Sequence, residues 1–347
     1  MKFSCMLWPH SGSDLDPVIR LAQSAEACDF ETFYIGDSQM IWNDVWVALG
    51  ACATATSRIR LGTGVTNMVT RHPAVTANAA VSVNMLSKGR MVLGIGAGDS
   101  AVRTAGLSPA KLPQIRERIE FMRRLLAGEE VDALAWGLDQ DPDTWGSESK
   151  IRIVGAEHWG ELPIQLACMG PRSVRTAGEM CDGVIVDGHM GGNAEGVEKT
   201  VESAEEGAKS AAKSSEDFRY IAAIDAAIDD DRGKALAKVK PTAARNIANK
   251  PWLPATLGVE HADVVKAVTE SYQFYQHLDL NARHQEIVSD EVAMKCCIAG
   301  TPEDCVAKGK ELKAAGINEI SLFITSQDEE GSHNVLNRFA TEVFPNI

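Results

Sequence analysis

Eight short apolar runs recur along the chain, and none of them alternates with polar positions. They are FSCMLW (3–8), TFYIG (32–36), IRLGTGV (59–65), RMVLGIG (90–96), PIQLAC (163–168), DGVIVDG (182–188), RYIAAIDAAI (219–228) and EISLFIT (319–325). A strand with one wet face reads as strict alternation. A continuous apolar run suits a strand covered on both faces, as in a parallel sheet. Helix-period segments lie between the runs. DPVIRLAQSAEACDF (16–30) puts Val18, Leu21, Ala22 and Ala25 on one face. PQIRERIEFMRRLLAGEEV (113–131) does the same with Ile115, Ile119, Met122 and Leu126, and Gly128 is its stop signal. Eight strands alternating with helices predict an α/β fold, a TIM-like (β/α)8 barrel, with a doubly wound open sheet as the rival arrangement. A barrel needs about 250 residues, so a single barrel domain over 1–347 must carry insertions. They are placed at 132–160, a polar stretch with tryptophans, and at 241–295, a helical stretch before the last strand.

In a barrel the chemistry sits at the C-terminal ends of the strands. The run GRMVLGIGAGDSAVRTAG (89–106) looks at first like a dinucleotide loop, but the third glycine position of that fingerprint is Asp99. The glycines serve another end. Strand ends carry Asp37; Gly64, Val65 and Asn67; Ala97, Gly98 and Asp99; Gly170; and Asp187 and Gly188. Asp37 and Asp99 are the candidate acid–base carboxylates, since burial raises a carboxyl's pKa and lets it move a proton. Asp99 also stands where a helix N-cap belongs, and Asp37 where a turn does. His72, held extended before Pro73, is a candidate catalytic histidine or a structural hydrogen bonder, and Arg71 beside it has the same two roles open. Trp8, His10 and Trp42 sit at or past strand ends and are candidates for the substrate pocket. The GPRS stretch (170–173) follows a strand and opens a helix. Pro171 fits the first turn, while the amides of Arg172 and Ser173 and the Arg172 side chain suit a phosphate.

The formal charge of −14 argues against nucleic-acid and anionic-membrane partners. Eight scattered cysteines without C-x-x-C spacing read as reduced thiols, and no His/Cys/Asp cluster has metal-ligand spacing. The N-terminus lacks a signal-peptide pattern, and no segment has the ~20 apolar residues of a membrane helix. The expectation is a soluble cytoplasmic protein.

Three motifs then fall in order. GVTNMVTRHPAVTANAAVSVNMLSKGRMVLGIGAGDSA (64–101), LPIQLACMGPRSVRTAGEMCDGVIV (162–186) and IAGTPEDCVAKGKELKAAGINEISLF (298–323) resemble the luciferase-like superfamily of flavin- and F420-dependent oxidoreductases. The branch they look most like is that of methylenetetrahydromethanopterin reductase. The resemblance implies a TIM-like barrel, FMN or coenzyme F420 at its mouth, and a homodimer or higher homo-oligomer. It implies a cofactor-phosphate role for the GPRS loop, and a non-prolyl cis peptide at Gly64–Val65 behind the ring. One departure matters. Relatives carry a histidine pair or Asp-His after the second strand, whereas this chain reads Asp37, Ser38, Gln39, so no histidine role transfers there.

Two chemistries follow. A monooxygenase takes reduced FMN from a separate flavin reductase and attacks a small organic substrate with oxygen. An F420 enzyme moves a hydride to or from an alcohol, ketone or imine-like carbon. F420 carries an acidic tail, and the only basic residues near the strand ends are Arg71, Arg103, Arg172 and Arg175. With −14 overall, the sequence favours reduced FMN and monooxygenation, F420-dependent hydride transfer being the alternative. A non-catalytic flavin-binding barrel is the reading from another class.

Overall fold

The computed structural model describes residues 1–7, 14–132, 150–158, 160, 162–187, 194–249, 262–271, 286–324 and 328–347. Its strands are β1 (Lys2–Leu7), β2 (Thr32–Ile35), β3 (Arg60–Thr63), β4 (Thr66–Asn67), β5 (Met91–Gly96), β6 (Val131–Asp132), β7 (Lys150–Ile151), β8 (Ile164–Ala167), β9 (Gly183–Asp187), β10 (Arg219–Ile228), β11 (Ile298–Gly300) and β12 (Glu319–Ile324). The helices are α1 (Asp16–Ala27), α2 (Val45–Ala55), α3 (Pro73–Leu86), α4 (Ser100–Thr104), α5 (Leu112–Leu126), α6 (Pro171–Met180), α7 (Ala194–Ser210), α8 (Arg232–Asn249), α9 (Ala262–Ser271), α10 (Asp290–Cys296), α11 (Pro302–Ala314) and α12 (Glu329–Arg338).

Eight parallel strands close on themselves in the order β1-β2-β3-β5-β8-β9-β10-β12 and back to β1. Each overlaps one of the eight apolar runs, and their closure settles the barrel against the open sheet. The absence of alternation has a plain cause, because both faces of every strand are covered. Leu93 and Ile95 of β5 pack into the strand–helix layer, while Val92 points into the barrel with Met6, Tyr34, Ile185 and Ile221.

The predicted helix over 16–30 is α1, which buries Val18, Leu21, Ala22 and Ala25 as expected. The one over 113–131 is α5, which ends in a turn where Gly128 takes φ +77° and its N–H bonds the Leu125 carbonyl at 3.0 Å. That left-handed step is one only glycine takes freely.

The first predicted insertion is bracketed by the small β6–β7 hairpin, and residues 133–149 lie outside the described set. The second does not begin at 241. Helix α8 runs through Pro241 unbroken, and with α9, α10 and β11 it packs a separate apolar cluster. Strand β10 carries this cap: residues 219–223 pair with β9, 221–226 with β12, and 226–228 with β11. Among the described residues no helix is long and apolar enough to cross a membrane.

The barrel interior holds a polar knot as well. Ser4 Oγ donates to Glu319 Oε1 at 2.6 Å, and Tyr34 Oη donates to Gln165 Oε1 at 2.8 Å. Burial pushes the Glu319 carboxyl above its ordinary range, against the Ser4 hydrogen bond.

Candidate active site at the barrel mouth

The strand ends enclose a cavity of about 420 Å³, within the size range of small-molecule sites. One wall is nearly bare backbone. Strand β3 stops at Thr63, and the chain passes through a cis Gly64–Val65 peptide, at the expected position, before resuming as β4. Opposite this bulge, a Cβ on Gly94 would stand 2.1 Å from the Thr63 carbonyl oxygen. A Cβ on Gly96 would stand 3.1 Å from Val65 Cγ2. The glycines of GIGAGD therefore make room for the neighbouring strand's bulge. Gly98 adds a second demand, since it takes φ +95° and a Cβ there would meet Val102 Cγ2 at 2.2 Å. Gly64, Val65, Gly96, Ala97 and Gly98 all line the cavity, a surface that a flat ring can approach closely. Asn67 lines it too. Its Oδ1 accepts from the N–H groups of Val69 and Thr70 at 2.9 and 2.8 Å, turning the chain after β4.

Asp37 lines the cavity from the end of β2, and its side chain is fully buried. Its Oδ2 accepts from Thr66 Oγ1 at 2.6 Å and from Arg71 Nη1 at 2.6 Å. Its Oδ1 is buried without a partner. Burial raises the carboxyl's pKa; the Thr66 hydrogen bond and the Arg71 charge oppose this, and the Asp44 charge reinforces it. Arg71 reaches past Asp37 to Asp44, placing Nη2 2.6 Å from Asp44 Oδ2. Asp44 in turn caps α2, its Oδ1 accepting from the N–H groups of Trp46 and Val47. Trp42, nearly buried, forms part of the same wall.

The other candidates divide. Asp99 lies on the cavity rim at the N-cap position of α4, but its side chain makes no cap bond. Instead it is 65% exposed and accepts from Arg103 Nε at 2.8 Å. Its environment differs sharply from that of Asp37. His72 is not among the residues lining the cavity. Its Nδ1 accepts from the Ala74 N–H at 3.1 Å and caps α3, because the proline after it starts that helix and turns the ring back on the first turn.

Gly170, Pro171 and Arg172 are exposed just beyond Met169, which lines the cavity. Gly170 is the N-cap of α6 and Pro171 its first residue, as expected. The Ser173 amide is not the open donor expected, since it bonds the Gly170 carbonyl at 2.9 Å inside its own turn. Arg172 has no ion pair among the described residues, whereas Arg175 faces Glu179 and Glu206. Asp187 pairs with Ala223 in the β9–β10 ladder. Trp8, His10 and Gly188 lie outside the described residues.

Sequence reasoning missed the opposite wall. Arg245 and Asn246, in the cap helix α8, are buried and line the cavity with Ala223 and Phe323. Asp225 of β10 holds them: Asn246 Nδ2 donates to its Oδ2 at 3.1 Å, and Arg245 Nη2 lies 3.6 Å from the same oxygen. The available signal was an Arg-Asn pair inside the buried stretch TAARNI (242–247). Cys168 also lines the cavity, and burial pushes its thiol up to about 12, which disfavours the reactive thiolate.

Residues 1–319 match the luciferase-like monooxygenase family. The chain belongs to that family. Among curated relatives of this luciferase-like protein is the 5,10-methylenetetrahydromethanopterin reductase of Methanolobus tindarius. It is 31% identical over 314 residues, covering 88% of this chain and 90% of the relative. The F420-dependent glucose-6-phosphate dehydrogenase of Amycolatopsis mediterranei is 25% identical, covering 95% and 94%. The solved F420-dependent tetrahydromethanopterin reductase of Methanopyrus kandleri superposes with a TM-score of 0.81 at 25% identity, covering 99% of this chain and 98% of that one. The FMN complex of the oxygenating constituent of 3,6-diketocamphane monooxygenase from Pseudomonas putida shares the fold, with a TM-score of 0.71 at 17% identity over 100% and 98% of the two chains. The protein is thus an oxidoreductase of the luciferase-like family with a flavin or deazaflavin cofactor.

Proposed function

We propose that this enzyme uses coenzyme F420 to transfer a hydride between the deazaflavin and a carbonyl- or imine-type carbon of a small organic substrate, with Asp37 handling the accompanying proton. The observation that carries the reading is the Asp37 carboxyl, buried on the cavity wall with one oxygen held twice and the other unpartnered. Curated relatives at 25–28% identity over most of both chains include enzymes called F420-dependent, one of them by a provisional name, which supports the cofactor.

The residues fit such a group. Glycine backbone at Gly64, Gly96 and Gly98 lines the cavity wall, and Arg172, exposed in the first turn of α6, is the proposed partner of the cofactor phosphate. When bound, the deazaflavin supplies the two-electron step. The protein's part is to hold and move the proton. In the reducing direction Asp37 gives its proton to the substrate heteroatom as the carbon takes the hydride, so C=N or C=O becomes CH–NH or CH–OH. The carboxylate left behind is stabilised through Oδ2 by Thr66 and Arg71, and it regains a proton from water. In the oxidising direction the same group accepts. A carboxyl raised by desolvation holds and releases a proton more readily in both directions than an ordinary aspartate does.

Reduced FMN with monooxygenation, the flavin coming from a separate reductase, is the second reading. One observation favours it: of the four basic residues named from the sequence, Arg71, Arg103 and Arg175 are ion-paired with carboxylates, and among the described residues Arg172 is left without an ion pair, little to offer an acidic tail. Anaerobic titration of the protein with reduced F420 and, separately, with reduced FMN, followed by air, decides between them. Tight F420 binding without oxygen uptake is expected. Tight binding of reduced FMN followed by oxygen consumption would overturn the F420 reading.

A further inference from the structure

The Asp37 carboxyl is the end of a chain of three charged side chains that starts at the surface. Asp44 is about half exposed, Arg71 mostly buried and Asp37 fully buried. Arg71 spans the two carboxylates with separate nitrogens, each contact 2.6 Å, the short charge-assisted geometry of a guanidinium fork. Its outer partner is itself fixed, because the second oxygen of Asp44 is tied to the first turn of α2 by the amides of Trp46 and Val47. Both donors to Asp37, Arg71 and Thr66, converge on Oδ2 and leave Oδ1 alone. The remaining charged groups on the cavity wall are already engaged elsewhere, Asp99 with Arg103 and Arg245 with Asp225. His72, next to Arg71 in sequence, turns its Nδ1 to the Ala74 amide.

This arrangement solves a physical conflict. A proton donor must be held in one orientation, and a guanidinium is a rigid means of doing that. A lone guanidinium beside a buried carboxyl would also favour the ionised form and take away the proton it is meant to deliver. A second carboxylate on the far side of the guanidinium offsets that charge without loosening the grip.

Resting on the reading of Asp37 given above, we infer that Arg71 and Asp44 are positioning residues for the catalytic carboxyl. Arg71 fixes Oδ1 as the oxygen that carries the proton to the ligand, and Asp44 offsets the charge of Arg71 so that Asp37 can hold that proton. Neither residue needs to touch substrate. Asp44 acts from outside the cavity lining.

The test is a pH titration of the full-length protein by infrared spectroscopy, following the C=O stretch of the protonated Asp37 carboxyl. The band is assigned by its loss in Asp37→Asn. Asp44→Asn keeps a capping side chain, since Asn caps as well as Asp, but removes the charge. It should shift the disappearance of the band to lower pH, and Asp44→Glu should restore it. Arg71→Gln should shift it the other way, to higher pH. Opposite signs from two neighbouring substitutions are not produced by general loosening of the site, and equal denaturation midpoints for wild type and Asp44→Asn check the fold. A band that stays at the wild-type midpoint in Asp44→Asn, or that moves in the same direction in both variants, overturns the positioning role and leaves the Asp37 reading standing. If the wild type shows no Asp37 band above the ordinary carboxylate range, the proton-carrying role of Asp37 falls, and the positioning role falls with it.

Discussion

Replacing Gly94 by alanine inserts one methyl group where two barrel strands approach most closely to the bulge. The ideal Cβ lies 2.1 Å from the Thr63 carbonyl oxygen, 3.2 Å from Val65 Cγ1 and 3.3 Å from the Thr63 carbonyl carbon. Carbon rests no closer than about 3.3 Å to a carbonyl oxygen, so β3 and β5 would have to part by roughly 1 Å. The obstacle is backbone and not the end of a flexible side chain. The movement also threatens the bond from Thr63 Oγ1 to the Gly94 carbonyl, 2.6 Å long in a fully buried setting. Overpacking a core costs about 1–3 kcal/mol and occasionally more, and a backbone clash belongs at the top of that range, at about 3 kcal/mol. Gly50, in α2, is the control. There a Cβ meets only Leu86 Cδ1 at 3.9 Å, and Gly→Ala inside a helix gains about 0.5–1 kcal/mol. Urea unfolding of both variants, with F420 titration of whatever folds, is the assay. Gly94→Ala should unfold at lower urea and bind cofactor more weakly, because Gly64 and Val65 line the cavity directly behind the displaced strand. Gly50→Ala should unfold slightly later and bind normally. If Gly94→Ala matched the wild type in both measurements, the account of why β5 carries glycines would be wrong.

Three further outcomes are expected. Arg172→Ala should weaken cofactor binding by about 1.5–3 kcal/mol, the scale of a hydrogen bond to a charged group, and unchanged affinity by calorimetry would remove Arg172 from the phosphate site. Glu319 is buried with a raised carboxyl, so the folded state binds its proton more tightly than the unfolded chain does. Its stabilising contribution is full below the ordinary glutamate range and is lost as pH rises through the raised value. Glu319→Gln should therefore gain on the wild type as pH rises above the ordinary glutamate range, and a constant difference in urea midpoint would contradict this. Helices α2 and α3 contain no charged residue yet expose Val47, Val75, Met85 and Leu86. On a chain of charge −14 such a face is where a second copy can approach, so sedimentation should find a dimer that Val47→Glu splits. A wild-type monomer would end that expectation.

Much of the mouth was legible because it is written in glycines. The bulge at Gly64–Val65 was implied by the family resemblance, and the room for it is made by Gly94 and Gly96, where a larger residue would meet the neighbouring strand. The helix start at Pro171 and the stop at Gly128 are equally local, each fixed by one residue's backbone preference. Asp37 and Asp99 were indistinguishable by the same criteria. Each is an acid just after a strand, yet one is fully buried and the other 65% exposed. The difference comes from what arrives next to them, Arg71 and Thr66 in one case and a partner on the same short helix in the other.

The sequence by itself determined the eight buried strands and the helices between them, while their closure into a barrel was decided by the tertiary structure. A strand buried on both faces must be apolar throughout, and the connecting helices must be amphipathic, so every unit carries its own signature. Only the tertiary structure decided which side chains meet. Arg71 finds Asp37 across 34 positions and Asp44 across 27, and Arg245 enters the cavity wall from a helix whose composition resembles any buried segment. Burial and charge pairing depend on where distant loops converge, and spacing along the chain does not encode that.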